Sequence, residues 1–223
     1  MVTGPSNFIS KTINNCLDKQ ECITFISLAL TTESEIRIKN ANAQYFGFDS
    51  LDGFLKESGI KLIFDDTNNI ITVPKQQIAK FRPVPFIASE YPLPATEWQV
   101  LFSPLIGLIK GKSTIIDKYY PMRMQHWEGL NILGAKGNVI KDKEGNYTSK
   151  VKVEGVKSYH SGEINVNAVR DACLLIAGLS VKGRVIINDP KDHIKRGYQD
   201  LAENIIKLGG KIDIKDKERS EKQ

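Results

Sequence analysis

The stretch NAVRDACLLIAGLSVKGRVIINDP (Asn167–Pro190), followed a few residues on by RGYQDLAENIIKLGGKIDI (Arg196–Ile214), sets out the order of elements that decides the fold. An apolar helical run comes first and a short β-branched run, RVIIND, follows it. An amphipathic helix then stops at a glycine pair, and the alternating KIDI reads as a strand. Two other parts of the chain repeat this order. One is ECITFISLAL (Glu21–Leu30), EIRIKNA (Glu35–Ala41) and FDSLDGFLKESGIKLIFDD (Phe48–Asp66). The other is TEWQVLFSPLIGLIKGK (Thr96–Lys112), STIIDKYY (Ser113–Tyr120) and MQHWEGLNILGAKGNVI (Met124–Ile140). The glycines that close the second helices, Gly59, Gly134 and Gly209, stand 75 residues apart both times.

Physical chemistry assigns each part a place. The first helix of each unit is apolar almost all round, as in Ala172–Leu179, and belongs in the interior. The second helices carry one apolar stripe, Leu201, Ile205 and Leu208 in the third unit, and belong outside. A glycine just past such a helix suits a left-handed C-cap. The proline-rich Pro74–Pro94 and the charged, glycine-containing Lys141–Val166 read as irregular connections. The expected fold class is α/β (α+β): three repeated strand–helix units with pseudo-threefold symmetry around a helical centre. The units are too long for an ordinary solenoid repeat. Residues 1–17 form a lead-in and 18–215 a single domain, with repeats at about 18–75, 92–153 and 164–215. Residues 216–223 form a charged tail.

Composition narrows the function classes. With 41% hydrophobic and 26% charged residues in 223, the chain can bury a sizeable core. Its apolar runs are too short to cross a bilayer, so no membrane partner is expected. The N-terminal MVTGPSNFISK lacks a charged-then-apolar leader pattern. The three cysteines form neither a disulfide framework nor a zinc pattern. A reducing cytoplasm is the expected setting, without metal or other cofactor. The net charge of +5 is spread along the chain. No basic stripe with interleaved aromatics points to nucleic acid. One local cluster stands out. In DHIKRGYQDL, His193, Lys195 and Arg196 read as the start of a helix, where the macrodipole favours anions instead. Either they are solvated surface cations or something negative sits among them.

Four segments in order resemble the bacterial UDP-N-acetylglucosamine enolpyruvyl transferases. HIKRGYQDLAENIIKLGG (His193–Gly210) is similar to that family's HIDRGY…LRALGA, and PATEWQVLF (Pro94–Phe102) to its PTDxQ. DKYYPMRMQH (Asp117–His126) is similar to ExxFENRFMH, and DKQECITF (Asp18–Phe25) to DRIEAGTF. The resemblance implies an inside-out α/β barrel domain, one of two such domains in a chain about twice as long. It also implies transfer of the enolpyruvyl group of phosphoenolpyruvate to UDP-N-acetylglucosamine, with release of phosphate, on the route to peptidoglycan. This chain resembles only one domain, so a complementary half-domain or self-association is expected. RNA-phosphate cyclases share a related repeated fold, but their nucleotide-attaching histidine motif is not evident.

The resemblance also assigns residues. Glu97 falls on the PTD aspartate, the group that would take the acceptor hydroxyl's proton; its plain reading is an acid in a helix first turn, with Thr96 as a capping candidate. Arg123 falls on the arginine of FENR at the phosphoenolpyruvate site, although Pro121-Met122 replace Glu-Asn; its plain reading is a solvated loop cation. Tyr119 falls where the family's backbone meets the nucleotide sugar. Arg196 falls on a second arginine that contacts phosphoenolpyruvate. Gly197 beside it permits close backbone approach, and Lys195 replaces an aspartate. Asn167-Ala168-Val169 stand where the family carries Asp-Leu-Arg. Arg170, one residue on, would point about 100° away. Lys19 and Glu21 keep the charges of DRIE and join the substrate-binding candidates, beside a reading as structural ion-pairing groups. Cys22 and Cys173 read as core, and Cys16 matches no reactive cysteine of the family. A diverged, non-catalytic binding module of the same fold remains the alternative.

Overall fold

The computed structural model describes residues 18–42, 47–198 and 200–215. Cys16, the lead-in and the charged tail lie outside them. At the centre are three helices, α1 (Lys19–Thr31), α3 (Thr96–Ile106) and α5 (Ala172–Leu179), each packed against the other two. α1 is capped by Asp18, whose carboxylate accepts the Gln20 N–H at 2.6 Å. Within α3 every residue but Glu97 is buried, the polar Thr96, Gln99 and Ser103 among them. Some of the polar groups inside are satisfied across the helices, while Thr31 Oγ1, Trp98 Nε1 and Gln99 Oε1 find no partner among the described residues. Ser27 donates to the Leu101 carbonyl at 2.6 Å, and Thr24 shares a hydrogen bond with the Tyr198 hydroxyl at 2.9 Å.

Around this centre lie short helices and three sheets. In the first unit, β1 (Ile36–Lys39), α2 (Asp52–Ser58), β2 (Ile63–Asp65) and β3 (Ile70–Val73) give an antiparallel sheet in the order β1-β3-β2. The second unit holds β4 (Phe86–Ala88), β5 (Lys112–Asp117), α4 (His126–Ile132), β6 (Lys136–Lys141) and β7 (Tyr147–Glu154), with sheet order β4-β5-β7-β6. In the third, β8 (Gly162–Asn165) pairs in parallel with β9 (Val185–Asn188), followed by α6 (His193–Gly197) and α7 (Leu201–Lys207). The parallel pairs β4–β5 and β8–β9 are each joined through a central helix, the usual crossover for parallel strands. Gly59, Gly134 and Gly209 take φ of 79°, 91° and 94°, the left-handed conformation expected past a helix end.

Six expectations need correction. Pro74–Pro94 is not irregular throughout, because β4 lies within it, and Lys141–Val166 holds β7 and β8. The charge in β7 conceals a period-two pattern: Val151 and Val153 are buried while Lys150 and Lys152 face solvent. The segment from His193 to Lys207 is two helices rather than one, since Tyr198 is extended and Asp200 takes φ 53°. Lys195 and Arg196 therefore sit in the last turn of α6, where cations suit the dipole, and not at a helix start. Leu208 is not in the buried stripe, and Lys211–Lys215 forms no strand although Ile212 and Ile214 alternate as one.

The turn after β7 is tightly constrained. A Cβ on Gly155 would lie 1.8 Å from the Ile109 carbonyl oxygen, which is backbone and cannot yield as a side chain can. Gly155→Ala is expected to cost about 1–3 kcal/mol in denaturant unfolding, the usual scale of overpacking. Gly53, inside α2 with nothing within 4 Å of a Cβ, is the counterpart. Gly53→Ala is expected to stabilise by about 0.5–1 kcal/mol in the same measurement.

Candidate functional site

The site is built from the end of β5. Asp117 is fully buried there, and its Oδ1 accepts the backbone N–H groups of Tyr119 and Tyr120, both at 2.9 Å. That turn leads into a single 3-10 turn, Pro121–Met124, which delivers Arg123 to the start of α3. The Arg123 carbonyl is held from behind by His126 Nδ1 at 2.9 Å and more loosely by Gln99 Nε2 at 3.5 Å. The guanidinium lies 3.8 Å over the Tyr120 ring, a cation–π arrangement. Its Nη1 reaches Glu97 Oε1 at 2.6 Å and also donates to the Thr96 hydroxyl. Thr96 thus serves Arg123 rather than capping the helix, whose N-cap position is Ala95.

Glu97, Thr96 and Trp98 open onto a cleft of about 490 Å³, within the range of small-ligand sites. Lys19 from the start of α1, Ser50 from the first unit, and Ser89, Glu90, Tyr91, Tyr119 and Tyr120 complete its walls. The Tyr119 phenol bonds the Glu90 carboxylate, which raises its pKa. Three candidates, Lys19, Glu97 and Tyr119, therefore share one cleft, and a fourth, Arg123, is tied to it through Glu97. The Arg123 side chain is only 15% exposed, against 39% for Glu97, so Glu97 covers the cation.

The remaining candidates lie elsewhere. Arg196 is exposed, bonded to His193 Nδ1, and does not line the cleft. Gly197 does permit a close approach: Val169 Cγ1 lies 1.9 Å from where its Cβ would be. Asn167 contributes its backbone N–H to Asp171 Oδ2 at 2.8 Å, as does Ala168 at 3.0 Å. Burial raises the Asp171 pKa, against those bonds and against Arg170 and His193. Glu21 is half-buried with a raised pKa, from burial and then Asp18, and neither it nor Lys19 makes an ion pair among the described residues.

Sequence reasoning set Arg170 aside as turned away and passed over Asp171. They supply an arginine and a carboxylate at the start of α5, one and two residues after Val169. The available signal was the acid spaced four residues from Asn167, a helix-entry pattern. His126 entered only as the last residue of the DKYYPMRMQH match and was given no role. Its carbonyl partner can only accept, so Nδ1 carries the proton and Nε2 faces the Ser103 hydroxyl at 2.8 Å. That hydroxyl's single proton serves either Nε2 or the Gln99 carbonyl 2.7 Å away. Cys22 and Cys173 are buried, and burial first of all raises both thiols, Cys22 to about 12. Among the described residues no group of three or more His, Cys, Asp or Glu could hold a metal. None of their helices is long and apolar enough to cross a membrane.

Residues 2–214 match the family of EPSP synthase (3-phosphoshikimate 1-carboxyvinyltransferase). UDP-N-acetylglucosamine 1-carboxyvinyltransferase of Lactobacillus acidophilus is 30% identical over 201 residues, 89% of this chain and 43% of the relative. That of Deinococcus deserti is 28% identical over 193 residues, 86% of this chain and 42% of the relative. The chain thus spans a little under half the length of these curated relatives. Among solved structures, the enolpyruvyl transferase NikO of Streptomyces tendae superposes with a TM-score of 0.75 at 24% identity, covering 88% of this chain and 44% of that one. EPSP synthase of Acinetobacter baumannii gives 0.57 at 16% identity, covering 80% and 41%. At these identities the two structures establish the fold: an inside-out α/β architecture of strand–helix units.

The buried imidazole makes the site sensitive to acid. Burial, with a smaller push from Arg170, lowers the His126 pKa to about 3 against the Arg123 bond, while unfolded histidine titrates near 6.5. The unfolded state therefore takes up this proton first as pH falls. The stability held above about pH 6.5 is lost on the way to 3, by at most about 1.4 kcal/mol per pH unit. Unfolding free energies between pH 7 and 4 are expected to fall less steeply in His126→Gln by up to that slope.

Proposed function

The chain belongs to the EPSP synthase (3-phosphoshikimate 1-carboxyvinyltransferase) family, and on that premise we propose that it is one half of an enolpyruvyl transferase. Its substrates are phosphoenolpyruvate and UDP-N-acetylglucosamine, and it works with a complementary half-domain in peptidoglycan synthesis in the cytoplasm. The relatives that bear the name UDP-N-acetylglucosamine 1-carboxyvinyltransferase support the substrate pair. The observation that carries the reading is the cleft in which Lys19, Glu97 and Tyr119 converge, with Arg123 held against Glu97.

The chemistry assigned to these groups is simple. The acceptor hydroxyl oxygen forms a bond to the enolpyruvyl carbon, the bond from that carbon to the phosphate oxygen breaks, and phosphate leaves. Glu97, as a carboxylate, takes the hydroxyl proton. Arg123 offers a bidentate fork to a substrate carboxylate or phosphate. The fork is occupied by Glu97 until an anion competes for it. Anion binding at Arg123 therefore releases Glu97 to act as the base, which couples the two substrates. Lys19 and Tyr119 line the acceptor's side. Arg196 and Gly197 stand on the third unit as a second anion contact, brought in when the complementary half closes the cleft and excludes water.

A second reading, a non-catalytic binding module, is favoured by one observation. Val169 packs over Gly197 at the helix start where the family carries an arginine, and Asn167 replaces the acid. Phosphate release from phosphoenolpyruvate with UDP-N-acetylglucosamine separates the two. The chain alone is expected to show none, and the chain with a complementary half steady turnover. In that assembly Glu97→Gln should lower kcat by about 10²-fold or more while phosphoenolpyruvate binding is kept or tightened. Arg123→Ala and Arg196→Ala should each weaken phosphoenolpyruvate binding about tenfold or more, the scale of a lost charged hydrogen bond. Ligand binding without turnover in any assembly would leave the module reading standing.

A further inference from the structure

The net charge of +5 reads as spread because its lysines come singly, yet it belongs to one part of the chain. Ten of the 31 lysines and arginines, against five of the 26 acids, fall between Lys110 and Lys157, and the remainder is balanced. Strand alternation gathers these lysines. Phe86, Ile115, Val151 and Val153 are buried beneath the four-stranded sheet, so the residues between them face solvent. Register sets Lys112, Glu154 and Lys136 in one row across β5, β7 and β6, and Thr114, Lys152 and Asn138 in the next. Lys150 lies beyond, opposite Ile116, which in turn pairs with Ile87 of β4.

At the Lys112 end of β5, away from Asp117 and the cleft, lies a depression of about 720 Å³. Lys112, Thr114, Lys136, Asn138, Lys152 and Glu154 line it, and none of them lines the cleft. Glu154 is the one acid in the lining and is paired with Lys136, Nζ to Oε1, at 3.3 Å. Lys112 and Lys152 make no ion pair among the described residues. The chemistry of this face selects its occupant. No outward residue of the four strands is aromatic, so none offers a ring on which a base could stack. None is an arginine, and α4 ends at the depression instead of starting there. Asn131 is committed to the Gly137 backbone, at 2.8 and 2.9 Å. A phosphate therefore meets neither a guanidinium fork nor a helix N-terminus. A hollow also fits a flat bilayer surface poorly. What the face does offer is ammonium groups at sheet spacings, about 7 Å apart along β7 for Lys150 and Lys152 and about 10 Å apart across it for Lys112 and Lys136. Carboxylates at alternate positions of an extended chain repeat at the same distance of about 7 Å.

We propose that this face is a docking surface for an acidic, extended segment of a partner protein. Laid along β7, the segment sets carboxylates over Lys152 and Lys150, with Lys112 and Lys136 flanking its path. A neutral or basic residue faces Glu154, because a carboxylate there would be repelled; this single acid fixes the register. Half-buried Ile87 and Ile116 give the segment an apolar contact beside Lys150. A partner held here leaves the cleft open, since the two linings share no residue. The inference stands apart from the enzyme reading.

The test is fluorescence anisotropy of a labelled peptide, ESESTSESE, titrated with the whole chain. Saturable binding is expected, weakening as salt is raised. Lys112→Glu with Lys152→Glu should weaken it at least about tenfold, while Lys39→Glu with Lys75→Glu, the same change in net charge elsewhere, should leave it within about twofold. The peptide EEEETSSSS, equal in composition but with its acids adjacent, should bind more weakly. ESESESESE should bind no tighter than ESESTSESE despite its extra charge, and Glu154→Gln should remove that handicap. This last gain does not depend on the stability of the charge-reversed variants. No saturable binding below about 1 mM overturns the proposal. So do equal losses in both double variants, or equal binding of the two isomeric peptides, since net charge alone would then suffice. Tighter binding of a thymidine 20-mer or of phosphatidylserine vesicles, with the same dependence on Lys112 and Lys152, would assign the face to nucleic acid or to a membrane instead. Self-association of the unmodified chain that the Lys112→Glu, Lys152→Glu variant loses would make a second copy the occupant. The titration uses neither substrate nor a second half, so its failure is separate from failure of the turnover assay.

Discussion

Three helices that are apolar on nearly every face can be stable in water only by burying one another, and α1, α3 and α5 do so. That mutual burial dictates the rest of the arrangement. Sheets and short helices must lie outside the trio, each presenting one apolar face inward and one polar face to solvent. Alternation in β7 and the one-sided burial of α2, α4 and α7 follow from this position. Some of the polar groups drawn into the centre find partners there. Ser27 does so on the Leu101 carbonyl and Thr24 on Tyr198, so the third unit is tied to the first helix by a buried hydroxyl pair.

The cleft inherits its geometry from that centre. The starts of α1 and α3 contribute Lys19 and Glu97 to the same space because the two helices pack together. Arg123 reaches them from a loop whose shape is imposed by buried groups: Asp117 gathers two backbone N–H groups, and His126 holds the Arg123 carbonyl. The cation is thus positioned by its backbone and then neutralised by Glu97. The cation that lines the cleft is Lys19, and Arg123 is tied to it through Glu97, whereas Arg196 stands apart.

Some of this could be read in the order of residues. The central helices, their burial and the left-handed glycines follow from local periodicity and from glycine's conformational freedom, both properties of a few neighbouring residues. Glu97, Tyr119 and Lys19 were legible as candidates through resemblance of short motifs. Asp171 was not, and Arg170 was set aside as turned about 100° away, because matching Asn167–Val169 to the family's triplet placed the helix entry there, whereas α5 starts at Ala172. His126 was legible only as the end of a motif match, since its role depends on a carbonyl and a hydroxyl brought to it by folding.

The sequence by itself determined the three-unit order, the identity of the buried helices and most of the cleft's candidates, because these rest on patterns shorter than one element. Tertiary structure decided which runs became strands. β4, β7 and β8 form from segments that read as irregular, and KIDI does not form although it alternates well. The physical reason is that a strand is stabilised by hydrogen bonds to a neighbour distant in the chain, while a helix supplies its own. For the same reason only the folded protein could show that Arg123 and Glu97 meet and that Arg196 stays outside the cleft.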